Sequence, residues 1–164
     1  MNIYLCADTH FFHKKIIEYE NRPIDYEEKI LKGLQQIPEG SMLIHLGDIC
    51  IGRDKEAMDY IKKLKLHKTL VRGNHDKKSI DWYLSHGFDF VCDMMWLRVC
   101  GKNILFSHAP YVDIGYDVNI HGHCHSKERK IEFEPTMNDK QKLLVIEKTN
   151  YQPVRLETFL NNNK

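Results

Sequence analysis

His121-Gly122-His123-Cys124-His125 sets three imidazoles within five consecutive positions. Packing alone seldom gathers histidines so tightly. Neutral imidazole is a ready ligand for zinc, iron, manganese or nickel, and the intervening glycine lets backbone pass close to an ion. Residues 117–120 read as a short strand, so the cluster falls on the loop leaving it, where α/β proteins collect functional side chains. A surface loop that is merely rich in histidine is the competing reading, and the rest of the chain decides between them.

Working outward, the same arrangement recurs. Residues 3–7 are an apolar run ending in Asp8-Thr9-His10, and residues 42–46 run into Gly47-Asp48. Residues 69–71 end in Arg72-Gly73-Asn74-His75-Asp76, and residues 103–106 lead to Ser107-His108. Each pattern predicts a buried strand that delivers a polar side chain at its C-terminal end. Asp8 and His10 are two apart and in extended backbone would face the same side. Asp8, His10, Asp48, Asn74, His108, His123 and His125 together outnumber the ligands of one tetrahedral ion. They suit two ions about 3.5–4 Å apart that share a carboxylate. Of the other histidines, His13 is expected on an exposed loop, His45 as a hydrogen-bonded member of its strand, and His121 as a structural neighbour of the ligands.

The intervals between these runs read mainly as helices. Asp25 with Glu28 predicts a capped helix start, followed by an apolar face of Ile30, Leu31, Leu34 and Ile37. Residues 54–65 place Ala57, Ile61 and Leu64 inward, and residues 77–85 place Ile80 and Leu84 inward, closed by Gly87. Residues 14–21 read as irregular. Residues 88–91 and 94–99 read as strands, the latter joined to the strand at 103–106 by a hairpin through Cys100-Gly101-Lys102. After the histidine cluster the chain is charged to about residue 141. A last strand is expected at 143–147, a short helix at 156–160, and a frayed tail at 161–164.

With 164 residues, 42% hydrophobic and 29% charged, the chain reads as a single domain over residues 1–160. The net charge of +1 offers no global field toward nucleic acid or anionic lipid. Lys55, Lys62, Lys63, Lys65 and Lys68 are read as a solvated helix face rather than a nucleic-acid patch. With neither a positive leader nor a long apolar span, a cytoplasmic protein without membrane contact is expected. Five cysteines, with no Cys-x-x-Cys spacing, argue against disulfides and a thiolate zinc site and predict mostly buried, reduced thiols.

Asp8-x-His10, Gly47-Asp48, Gly73-Asn74-His75-Asp76, His108 and Gly122-His123-x-His125, in this order, resemble the calcineurin-like metallophosphoesterase family. The Arg22-Pro23 turn and Tyr151-x-Pro153-Val154 resemble its small single-domain bacterial and phage-type branch. The resemblance implies a four-layer αββα sandwich of two mixed sheets flanked by helices. It implies that Asp8, His10 and His125 hold one divalent ion, that Asn74, His108 and His123 hold a second, and that Asp48 bridges them. His75 would be the catalytic acid, oriented by Asp76. Phosphoester hydrolysis, diesters favoured, would proceed by in-line attack of a metal-bound hydroxide. The metals expected are manganese, iron, zinc or nickel, and the substrate a small phosphoester such as a nucleotide. Two rivals stay open, a nuclease and a protein-binding scaffold without activity; a single structural zinc site founders on the ligand count. A monomer and a small homo-oligomer are equally compatible with the sequence.

Overall fold

The computed structural model describes residues 1–112, 115–125 and 139–162. Most of the charged stretch after the histidine cluster, and the last two residues of the expected tail, lie outside them. The first sheet holds β1 (Ile3–Cys6), β2 (Met42–His45), β3 (His67–Val71), β4 (Phe90–Cys92) and β9 (Val154–Arg155), in the order β4-β3-β2-β1-β9. β1 to β4 are parallel and β9 is antiparallel to β1. The second sheet holds β5 (Met94–Val99), β6 (Lys102–Ser107), β7 (Val118–His121) and β8 (Gln141–Leu143), in that order. β5 is antiparallel to β6, and the rest are parallel. Both sheets are therefore mixed, and helices flank them.

Alternation along the strands explains the layering, because successive side chains leave opposite faces. Ile3 and Leu5 of β1, with Ile44 and Val71, meet Ile104, Phe106, Val118 and Ile120 in a core between the sheets. Cys6, Leu43 and Leu70 face the other way, into a second core completed by helices. Those helices are α1 (Ile16–Glu20), α2 (Tyr26–Gln35), α3 (Asp54–Lys62) and α4 (Ile80–Ser85). α5 (Leu156–Asn162) seats Leu156 and Phe159 in the inter-sheet core.

Several expectations are corrected. α1 forms where an irregular stretch was expected. Asp25 precedes α2, but its side chain caps no backbone N–H and pairs instead with Lys29 at 2.9 Å. In α4 the buried residue is Tyr83, while Ile80 and Leu84 are 38% and 41% exposed. The helix begins three residues later than expected, at Ile80. The strand expected at 143–147 is replaced by β8 and a 3₁₀ turn, Ile146–Thr149. α5 continues through Asn162, into the expected tail. Of the five free cysteines only Cys6 and Cys50 are buried. Among the described residues, no helix is long and apolar enough to cross a membrane.

Tyr83→Ala is expected to destabilise the protein by about 3 kcal/mol and Leu84→Ala by under about 1 kcal/mol. Urea unfolding midpoints check this. Equal losses would place Leu84, not Tyr83, in the helix-side core.

Candidate metal centre

The ligand-bearing loops are held close together by a few defined contacts. β1 ends at Cys6, so Asp8 and His10 do not stand in extended backbone; both occupy the left-handed region, with φ of 53° and 47°. Their alignment comes from pairing onto the neighbouring loop, where the N–H groups of Asp8 and His10 donate to the carbonyls of Gly47 and Asp48. Asp48, His123 and His125 also have positive φ, at 57°, 69° and 47°. Such backbone costs a non-glycine residue of order 1 kcal/mol and collects at functional sites.

Asp76 holds the middle of the site. Its carboxylate accepts from the N–H groups of Asp48 (2.8 Å), Ile49 (3.1 Å) and Gly73 (2.7 Å), tying the loop after β2 to the loop after β3. This corrects the expectation that Asp76 orients the His75 ring: both its oxygens are engaged by backbone. Glycine is required where these loops touch. A Cβ on Gly73 would collide with Asp48, and one on Gly122 with the Asp8 carboxylate.

All seven candidate ligands converge, in two groups. His10 Nε2 lies 3.2 Å from His125 Nε2, and Asp8 Oδ1 lies 3.9 Å from the same atom. His108 Nε2 lies 3.1 Å from His123 Nδ1 and 3.0 Å from Asn74 Oδ1. Between the groups, Asp48 Oδ2 is 3.7 Å from His10 Nε2 and 3.4 Å from His108 Nε2. His108 Nδ1 donates to the Leu46 carbonyl at 2.7 Å, which turns Nε2 toward the site. His75 stands at the edge: its N–H donates to Asp48 Oδ1 at 2.8 Å, and its 44%-exposed side chain brings Nε2 to 3.9 Å from Asp48 Oδ2.

The donor set fits divalent cations. Burial lowers His10 to about 2, against the pull of Asp48, so its imidazole is neutral and free to coordinate. Burial pushes the Asp8 carboxyl up to about 7. Burial acts to raise Asp48, but His108, the His75 N–H and His10 together hold it below the usual carboxylate range. His108 itself rises to about 9: burial works against this, but Asp48 and Asp8 prevail. Without an ion, a proton on His108 is what offsets the two buried carboxylates. Imidazole nitrogens facing one another at 3.1–3.2 Å leave each group a common point for a cation.

The remaining predicted residues separate. His45 is buried and structural: its Nδ1 accepts from the Gly47 N–H at 3.1 Å and its Nε2 meets Thr9 Oγ1 at 3.1 Å. His121 is buried, Nδ1 donating to the Gly122 carbonyl at 3.0 Å, and stays outside both groups. His13 corrects its expectation as an exposed loop histidine. It lines the cleft, its ring 5.6 Å from that of His10. Lys68 leaves the presumed lysine face, because its ammonium donates to the Leu64 carbonyl at 3.0 Å. Sequence reading missed Glu20 and Glu147, which approach His125 as a further carboxylate pair. Glu20 follows no strand-like run, and Glu147 closes the expected strand at 143–147 without a neighbouring histidine or glycine to mark it as a site residue.

Two packed mixed sheets carrying two donor groups with a carboxylate between them are the metallophosphoesterase fold. The chain belongs to the calcineurin-like phosphoesterase family, whose model matches residues 1–162. It is 30% identical to the uncharacterized protein MJ1445 of Methanocaldococcus jannaschii over 172 residues, covering 96% of this chain and 89% of that protein. Among solved structures it is similar to AQ665 of Aquifex aeolicus, a protein of unknown function, with a TM-score of 0.79, 27% identity and 98% of each chain covered. An archaeal phosphodiesterase shares the fold at a TM-score of 0.50 and 18% identity, covering 95% of this chain and 100% of that one.

Gly122→Ala is expected to push the Asp8 carboxylate aside and weaken manganese binding about tenfold or more, roughly 1.4 kcal/mol. Titration calorimetry on metal-stripped protein checks this. Unchanged affinity would show that Asp8 gives way freely.

Proposed function

We propose that the chain is a two-metal phosphoesterase that hydrolyses phosphodiesters in preference to monoesters. The observation that carries this reading is the pair of donor groups with Asp48 Oδ2 within 3.7 Å of an imidazole from each. Asp8, His10 and His125 would hold one ion, and Asn74, His108 and His123 the other, with Asp48 shared. Manganese, iron, zinc and nickel all suit these mixed ligands. When bound, such ions supply positive charge for the phosphoryl oxygens and acidify water toward neutral pH, making an in-line nucleophile.

The chain's own residues supply the rest. His75 is anchored by its backbone N–H to Asp48, which leaves a half-exposed imidazole over the cleft to give a proton to the leaving oxygen. Asp76 acts on it indirectly, by fixing the loop that carries both Asn74 and His75. The cleft has a volume of about 370 Å³, and its lining continues past His10 through His13 and Ile16 to Tyr19. That space accommodates a second substituent on phosphorus. No lysine or arginine is among the described residues lining it. A monoester brings two negative charges and gains from extra cations; a diester brings one and needs fewer. The same lack of basic groups disfavours a nuclease, which would track phosphates with lysine and arginine. Five free cysteines suit a reducing, cytoplasmic setting.

His75→Ala is expected to retain metal while turnover falls about a hundredfold or more. Asp48→Asn is expected to weaken both ions. Manganese-loaded protein assayed on bis(p-nitrophenyl) phosphate and p-nitrophenyl phosphate should cleave the diester faster. A faster monoester would overturn the preference, and absence of cleavage of either with every divalent ion would overturn the enzymatic reading.

A further inference from the structure

A buried ionic relay outside the predicted ligands runs into one donor group and not the other. Arg22 lies just after α1 and is 3% exposed. Its Nη1 donates to the Thr9 carbonyl at 3.0 Å and its Nη2 to the Asp8 carbonyl at 2.7 Å. The same guanidinium grips Glu147 Oε1, at 2.8 Å from Nε and 2.6 Å from Nη2. Glu147 sits on the 3₁₀ turn, far along the chain, and its Oε1 is also 3.3 Å from Nδ1 of His125. A carboxylate can only accept, so this contact keeps the His125 proton on Nδ1 and leaves Nε2 bare. Nε2 is the atom that faces His10 Nε2 at 3.2 Å and Asp8 Oδ1 at 3.9 Å.

The two groups are thus supported differently. His108 leans on a neutral backbone carbonyl, and His125 on a carboxylate. A carboxylate behind an imidazole fixes its orientation and makes it the more basic donor. Stability alone is a poor reason to bury Arg22 and Glu147, since desolvation of a buried pair roughly cancels its attraction.

We propose that Glu147, held by Arg22, is a positioning residue that sets the metal affinity of the Asp8/His10/His125 group selectively. This rests on the two-metal reading of the site. Through Arg22 the relay also grips the backbone of Asp8 and Thr9, so one carboxylate aligns both loops that supply this ion.

The test titrates manganese into metal-stripped wild type and Glu147→Gln by calorimetry, with melting of the metal-free proteins recorded alongside. Wild type should show two sites. Glu147→Gln should lose about ten- to a hundredfold at one of them and leave the other within a few-fold. If the variant melts too low to titrate, Glu147→Asp keeps a charge for Arg22 while drawing the carboxylate back from His125. It is expected to show the same one-site loss. Equal weakening of both sites in step with a fall in melting temperature would mark Glu147 as a structural strut and overturn the inference. Two unchanged sites would also overturn it and leave the two-metal reading intact. Wild type that binds no manganese, iron, zinc or nickel would instead overturn the two-metal reading itself.

Discussion

Two carboxylates buried within reach of the same imidazoles are the constraint around which this protein is arranged. Asp8 is 0% and Asp48 2% exposed, and burying a charge without compensation is among the largest penalties a fold can incur. Protein groups answer that penalty incompletely. Asp8 accepts two long hydrogen bonds from the His123 N–H, and Asp48 takes one from the His75 N–H and faces His108. With Asp8 pushed up to about 7 and His108 up to about 9, the metal-free site lies close to exchanging protons with solvent. A pair of divalent cations, as proposed for this site, would resolve the same imbalance without protons.

The backbone shows what it takes to keep such a site assembled. Five of the seven candidate ligands, Asp8, His10, Asp48, His123 and His125, sit at positive φ. At of order 1 kcal/mol each, that strain is comparable to a sizeable share of a small protein's net stability. It is offset locally by backbone-directed side chains. Asp76 gathers three N–H groups, Arg22 two carbonyls, and His45 with Thr9 bridges the loops after β1 and β2. These residues touch no substrate in the proposed reaction, yet they determine where the ligands point.

The strands were legible because they are short apolar runs punctuated by glycine and a polar residue, a pattern set by burial on both faces. The donor residues were legible for the same reason: each follows such a run. What sequence concealed was tertiary. Ile80 and Leu84 have helical spacing, but Tyr83 is the residue of α4 that packs into the helix-side core. Asp25 and Glu28 have capping spacing, yet Lys29 one turn on competes for the same carboxylate. Residues 143–147 have strand composition, but the chain must turn there to bring Glu147 onto Arg22 and His125, so pairing stops at Leu143. His13 sits on a loop by sequence and reaches the cleft beside His10, its carbonyl accepting from the Ile16 N–H at the start of α1.

The charge distribution finally constrains how substrate and metal depend on each other. The chain carries a formal net charge of +1, and the described lining of the cleft holds two acidic side chains, Asp48 and Glu20, with no lysine or arginine. In the proposed reaction an anionic phosphoester would find its attraction chiefly in the ions. Binding of ion and phosphoester would then be thermodynamically coupled: the factor by which bound ion tightens phosphoester is the factor by which bound phosphoester tightens ion. On this view the residues behind the ligands are as much a part of substrate affinity as those facing it. On the two-metal reading, the unequal support of the two donor groups would make the ion at Asp8, His10 and His125 the more firmly held anchor. The ion at Asn74, His108 and His123, leaning on a neutral carbonyl, would then be the one whose occupancy depends more on a bound phosphoester.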